Sequence, residues 1–292
     1  MHRPQPHFRV AGNGPGVVCL HANASTSGQW RGLMDLLAPR FRVFAVDLYD
    51  AGKSPAWPSD RVISLEDEVA LIEPVLAQAG SPLVLVGHSY GAAVALIAAL
   101  KQPARVRALA LYEPTLFSVL DADAPPPNNA DGIRQTVARS GVALDAGDTD
   151  AAAAHFIDYW MEPGAWDRTP DQRKPPIAAS MRNVRRWGHA LLTETTPLDA
   201  FRALDLPVLY MTGKRSTPSA LGVAGLLANV IPGVERREFE ALGHMGPVTH
   251  PEVVNAVIAQ FLAEVGDRAV PSRIGEQAES GNLNTTEREP QR

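Results

Sequence analysis

Apolar positions along this chain fall into short blocks whose period alternates between that of a strand and that of a helix. Residues 8–11 and 17–20 read as strands flanking Gly12-Asn13-Gly14-Pro15-Gly16, a glycine-rich hairpin turn. Residues 29–37 have the spacing of an amphipathic helix, and residues 41–46 read as the next strand. Ser64 with Asp67 three residues on predicts a capping box for a helix reaching Ala79, with Pro74 as a point of kinking. Residues 81–86 are a continuous apolar run, as in a buried parallel strand, and the Ala- and Leu-rich residues 92–100 favour a helix. A further strand over 106–112 ends in Glu113-Pro114. Strand alternating with helix predicts an α/β protein with a mostly parallel central sheet and helices on both faces.

From Thr115 to Thr196 the alternation stops and the pattern is helical throughout. Helices are expected at 151–161, from Thr169-Pro170 and at 180–192. The alternation then resumes, with a short helix from Thr196-Pro197, strands at 206–212 and 235–240, and helices at 218–230 and 251–265. The expected organisation is a core of residues 1–116 and 197–265, an inserted helical cap of residues 117–196, and a polar, disordered tail of residues 266–292.

Composition narrows the function classes. With 45% apolar and 20% charged residues in 292, the chain suits a soluble globular protein. A net charge of -5 argues against nucleic acid or an anionic membrane as an obligate partner. Cys19 is the single cysteine, so no intrachain disulfide forms, and it reads as a small buried hydrophobe in a reducing cytoplasm. Residues 1–9 lack an apolar signal-peptide core, and the longest apolar stretch, 83–100, is interrupted by His88 and two glycines. A cytoplasmic protein is expected, of open oligomeric state. Gly52-Lys53-Ser54 superficially suggests a phosphate loop, but Asp47 stands where that motif needs glycine, and Pro55 and Pro58 replace the following helix.

Gly87-His88-Ser89-Tyr90-Gly91 lies between the strand ending at residue 86 and the helix starting at residue 92. A G-x-S-x-G pentapeptide in that context predicts a nucleophile elbow, with strained angles on Ser89 and small neighbours (Gly87, Gly91, Ala92, Ala93) that let strand and helix close up. A serine hydroxyl needs a base to take its proton and a group to orient that base. His244 is the best-placed histidine, in the loop between the last strand and the last helix, on the sheet edge where the elbow points. His155, His189 and His250 are less well placed.

Over residues 8–265 these features resemble the α/β-hydrolase fold superfamily. The likeness rests on the Leu20-His21 strand end, the Val46-Asp47 turn, the elbow, the helical insertion and the Gly243-His244 loop. It implies an oxyanion hole built from the backbone N–H groups of Asn23 and Tyr90, with His21-Ala22 where the family usually has His-Gly. The family usually carries its acid in a Gly-x-x-Asp turn after the seventh strand; here that turn is Gly213-Lys214-Arg215-Ser216. A carboxylate is still required, and Glu113 meets the need from the end of the preceding strand, as a glutamate does in certain haloalkane dehalogenases. The alternative for Glu113 is a brace at the hinge of the insertion; Asp199, Asp205 and Asp47 are weaker candidates. Serine rather than aspartate at position 89 argues against a dehalogenase or an epoxide hydrolase.

The expected function is a serine hydrolase cleaving a small or medium, mainly apolar carboxylic ester through Ser89, His244 and Glu113. The substrate is a small molecule, with no metal and no cofactor. Phe117, Phe156, Tyr159, Trp160 and Trp187 are expected to line the pocket. Arg182, Arg185 and Arg186 read as a solvated helix face, the alternative being a clamp for a substrate carboxylate. Two other functional readings stay open: a C–C bond hydrolase or cofactor-free perhydrolase with the same triad, and a non-catalytic ligand-binding member of the fold.

Overall fold

A computed structural model describes residues 4–268. Seven strands form one sheet: β1 (Phe8–Ala11), β2 (Gly16–Leu20), β3 (Arg42–Val46), β4 (Leu83–His88), β5 (Val106–Tyr112), β6 (Val208–Gly213) and β7 (Glu235–Phe239). Their order is β1-β3-β2-β4-β5-β6-β7, and only the β1–β3 pairing is antiparallel. The β4 strand is wholly buried because both its faces are covered. Val84 and Val86 point to the face packed by α1 (Arg31–Leu37) and the last helix, while Leu83 and Leu85 point to the opposite face. That opposite face is covered by α2 (Leu65–Ala79) and α3 (Tyr90–Lys101). A period-2 chain with apolar side chains on both faces appears in sequence as an unbroken apolar run.

The Ser64 capping box forms as expected, with Asp67 N–H donating to the Ser64 hydroxyl and Ser64 N–H to the Asp67 carboxylate. Between β5 and β6 the chain makes five α-helices: α4 (Ser118–Asp123), α5 (Asp131–Asp145), α6 (Thr149–Trp160), α7 (Lys174–Ser180) and α8 (Val184–Leu192). The α7 helix corrects the expected start at Thr169-Pro170. A helix from there would carry Pro175 and Pro176 in its interior, where each removes a backbone donor; starting at Lys174 puts them in the first turn. The Thr169 hydroxyl donates back to the Ala165 carbonyl instead of capping.

The chain returns through α9 (Pro218–Val230), the single-turn α10 (Gly246–Thr249) and α11 (Pro251–Arg268). The last helix passes the expected end at residue 265, and residues 269–292, most of the segment read as a tail, lie outside the described residues. Among the described residues no helix is long and apolar enough to cross a membrane. The loops after β2, β4, β5, β6 and β7 leave from the carboxyl ends of parallel strands, so the fold gathers them at one edge, under the helical insertion.

Candidate active site

Ser89 occupies the sharp turn from β4 into α3 with φ 56° and ψ -119°, in the left-handed half of the map that a side chain rarely enters. Such a backbone costs about 1–3 kcal/mol and persists only where its surroundings enforce it. Here they do: a Cβ at Gly91 would overlap the Leu20 and His21 backbone, and one at Gly87 would meet the Ala92 backbone. Strand and helix therefore close directly on the serine.

His244 lies in the loop after β7, and its Nε2 is 2.9 Å from Ser89 Oγ. Its Nδ1 is 2.7 Å from Glu113 Oε2, and both side chains are buried. A carboxylate only accepts, so the geometry puts the proton on Nδ1 and leaves Nε2 to accept from the serine. Glu113 follows β5 with φ 44°, a second strained residue at the same edge. Its other oxygen, Oε1, accepts from Gly213 N–H at 2.7 Å and from the Ser216 hydroxyl at 2.6 Å. The loop around His244 is held by two further donors: Tyr112 hydroxyl to the Gly243 carbonyl (2.8 Å) and His88 Nε2–H to the His244 carbonyl (2.9 Å).

Opposite the elbow, Ala22 N–H donates to Gln29 Oε1, and Gln29 Nε2 donates to His88 Nδ1 at 3.1 Å. Burial holds His88 well below the usual histidine range, so it stays neutral with its proton on Nε2. Gln29 and His88 thereby join the loop after β2, the elbow strand and the His244 loop in one hydrogen-bonded chain, which sequence reading did not find. The only sequence signal was a histidine set inside an otherwise apolar strand end. His21, also lowered by burial, donates from Nδ1 to the Ala22 carbonyl and accepts Leu48 N–H at Nε2. The loop closes with Ala24, not Ala22, at positive φ (55°). Among the described residues neither Asn23 N–H nor Tyr90 N–H has a protein acceptor, and Asn23 and Ser89 border the same cavity.

That cavity, of about 240 Å³, is enclosed mainly by apolar side chains, among them Phe117, Phe156, Trp160, Trp187, Ile133 and Leu191. Trp160 also stacks on His244, with ring centroids 4.0 Å apart and planes 27° apart. Tyr159 is a correction. It does not border the cavity, because its neighbour on α6 takes that face while its hydroxyl pairs with Ser219 Oγ at 2.7 Å. Arg185 pairs with Asp145, and Arg186 with Asp50 at 3.3 Å; none of Arg182, Arg185 and Arg186 borders the cavity. Among the described residues no group of three or more potential metal ligands occurs.

The sequence profile of the alpha/beta hydrolase fold matches residues 15–251. The chain belongs to the α/β-hydrolase family. A pimeloyl-[acyl-carrier protein] methyl ester esterase of Xanthomonas campestris pv. campestris is 30% identical over 268 residues, 88% of this chain and 98% of the relative. One of the same description from Nitrosomonas europaea is 27% identical over 259 residues, covering 84% of this chain and 95% of that protein. Among solved structures, an alpha/beta hydrolase from Sphaerobacter thermophilus superposes with a TM-score of 0.69 at 25% identity, over 88% of this chain and 96% of its own. An alpha/beta hydrolase enzyme from a Medee basin deep-sea metagenome library reaches 0.76 at 15% identity, over 95% and 98%, which bears on the fold alone.

One buried carboxyl of this α/β-hydrolase lies behind the elbow. Glu68 on α2 accepts from the Tyr90 hydroxyl (3.3 Å) and from Tyr49 N–H (3.1 Å), and burial pushes its pKa up to about 8. The folded protein keeps a proton there that the unfolded chain releases above about pH 4.3. Stability should therefore fall as pH rises from about 5 towards 8, by up to about 1.4 kcal/mol per unit from this group. Thermal melts of wild type and Glu68→Gln across that range should show the variant gaining on wild type as pH rises. Parallel curves would remove this role for Glu68.

Proposed function

We propose that this protein is a serine esterase that hydrolyses small or medium, mainly apolar carboxylic esters through Ser89, His244 and Glu113. The observation that carries the reading is the unbroken line Ser89 Oγ, His244 Nε2, His244 Nδ1, Glu113 Oε2, with steps of 2.9 and 2.7 Å, opening onto an apolar cavity. Ser89 attacks the ester carbonyl as Nε2 takes its proton, and Glu113 stabilises the imidazolium that forms. The unpaired N–H groups of Asn23 and Tyr90 receive the developing oxyanion, each such donor being worth roughly 3 kcal/mol. His244 then protonates the leaving alcohol, and water repeats the cycle on the acyl-enzyme. The insertion, residues 117–196, acts as the cap: Phe117, Phe156, Trp160 and Trp187 surround the acyl group and exclude water.

The methyl ester esterases related to this chain support an ester of a small alcohol. A C–C hydrolase that grips a carboxylate through Arg182, Arg185 and Arg186 is disfavoured, since these side chains lie outside the cavity. A non-catalytic role drew its support from the missing aspartate, and Glu113 on His244 Nδ1 removes that support. Incubation with a fluorophosphonate followed by peptide mass mapping tests the reading. A single adduct on Ser89, abolished in His244→Ala, is expected; an unmodified Ser89 in protein that remains folded would reject it.

A further inference from the structure

Ser216 stands at the fourth position of the Gly213-Lys214-Arg215-Ser216 turn, where an aspartate would be customary. Its hydroxyl nevertheless reaches the carboxylate that has replaced that aspartate, donating to Glu113 Oε1 at 2.6 Å. Two backbone bonds tie the turn to the chain at and after β7, Lys214 N–H to the Phe239 carbonyl and Arg215 N–H to the Leu242 carbonyl, and Ser216 N–H closes it on the Gly213 carbonyl. Gly213, pressed so closely on the Leu242 backbone that a Cβ would overlap it, adds its own N–H to Oε1 at 2.7 Å. A buried carboxylate needs its lone pairs met, and one held at a single oxygen can swing about its last bond. Two donors on Oε1 leave Oε2 aimed at His244 Nδ1.

We propose that Ser216 is a positioning residue, whose hydroxyl locks the Glu113 carboxylate in the rotamer that orients His244. The proposal rests on the triad reading above. It also accounts for the residue type at the vacated acid position. An aspartate there would press a second negative charge against Glu113, whereas a hydroxyl donates a hydrogen bond to it. Withdrawing that donor leaves more negative charge facing the imidazole.

The test is p-nitrophenyl butyrate hydrolysis by wild type, Ser216→Ala, Ser216→Cys, Ser216→Thr and Glu113→Ala across the acid limb of kcat/KM. Ser216→Ala should lower kcat about tenfold with little change in KM, as expected for one hydrogen bond to a charged group. Its acid limb should move to higher pH. Ser216→Cys, similar in size with a weaker donor, should change in the same direction by less, and Ser216→Thr should restore both properties. Wild-type turnover in the alanine and cysteine variants, or reduced turnover with an unmoved acid limb, would overturn the assignment. Wild-type turnover in Glu113→Ala would instead overturn the triad beneath it.

Discussion

Ser89→Ala is expected to lower ester turnover by about 10⁶-fold, the loss seen when the nucleophile is removed from a comparable serine hydrolase. The hydroxyl lies 2.9 Å from His244 Nε2, and among the described residues no other hydroxyl is so placed: Thr115 also borders the cavity but makes no hydrogen bond to His244. Folding should be unaffected, because the strain at position 89 belongs to the backbone and alanine inherits the same φ of 56°. Residual turnover above the uncatalysed rate should remain, since the proposed oxyanion donors, Asn23 N–H and Tyr90 N–H, are untouched by the substitution. Steady-state hydrolysis of p-nitrophenyl butyrate, normalised to folded protein, measures the loss. A variant within tenfold of wild type would exclude Ser89 as nucleophile.

Glu113→Gln should cost about 10⁴-fold in kcat, or about 5.4 kcal/mol of transition-state stabilisation. The substitution keeps the shape and removes the charge. The new amide can also present N–H to His244 Nδ1, drawing the ring into the tautomer with its proton on Nε2, which cannot accept from Ser89. The buried imidazolium formed during attack would also lose its partner, since among the described residues Oε2 of Glu113 is the only acceptor on Nδ1. If the three side chains act as a unit, as proposed, adding Glu113→Gln to Ser89→Ala should cost little more. A near-multiplicative loss in the double variant would mean that Glu113 acts elsewhere.

Much of this architecture is legible in sequence for local reasons. The β5 strand and α9 run over the residues their apolar pattern marks, and the Ser64 capping box is a contact within one turn. The elbow is legible because its strain demands small residues at fixed offsets from Ser89. Glu113 was nameable because a buried imidazole needs a carboxylate and the usual turn holds none. What stayed hidden depends on which loops meet. Gln29 and His88 lie far apart in sequence and carry no shared motif, yet they bind three loops together. Ser216 reads as an empty position until the carboxylate of another strand is seen to reach it. Tyr159 and Trp160 are adjacent aromatic residues on α6, and only the packing of that helix decides which of them stacks on His244.

The most direct test is the hydrogen bond between His244 and Glu113 itself, read as the far-downfield proton resonance of a buried imidazole Nδ1–H held against a carboxylate. That resonance should be present in wild type and in Ser89→Ala, and absent from Glu113→Ala and His244→Ala. If it persists in folded Glu113→Ala, another group orients His244, and the proposed triad is wrong.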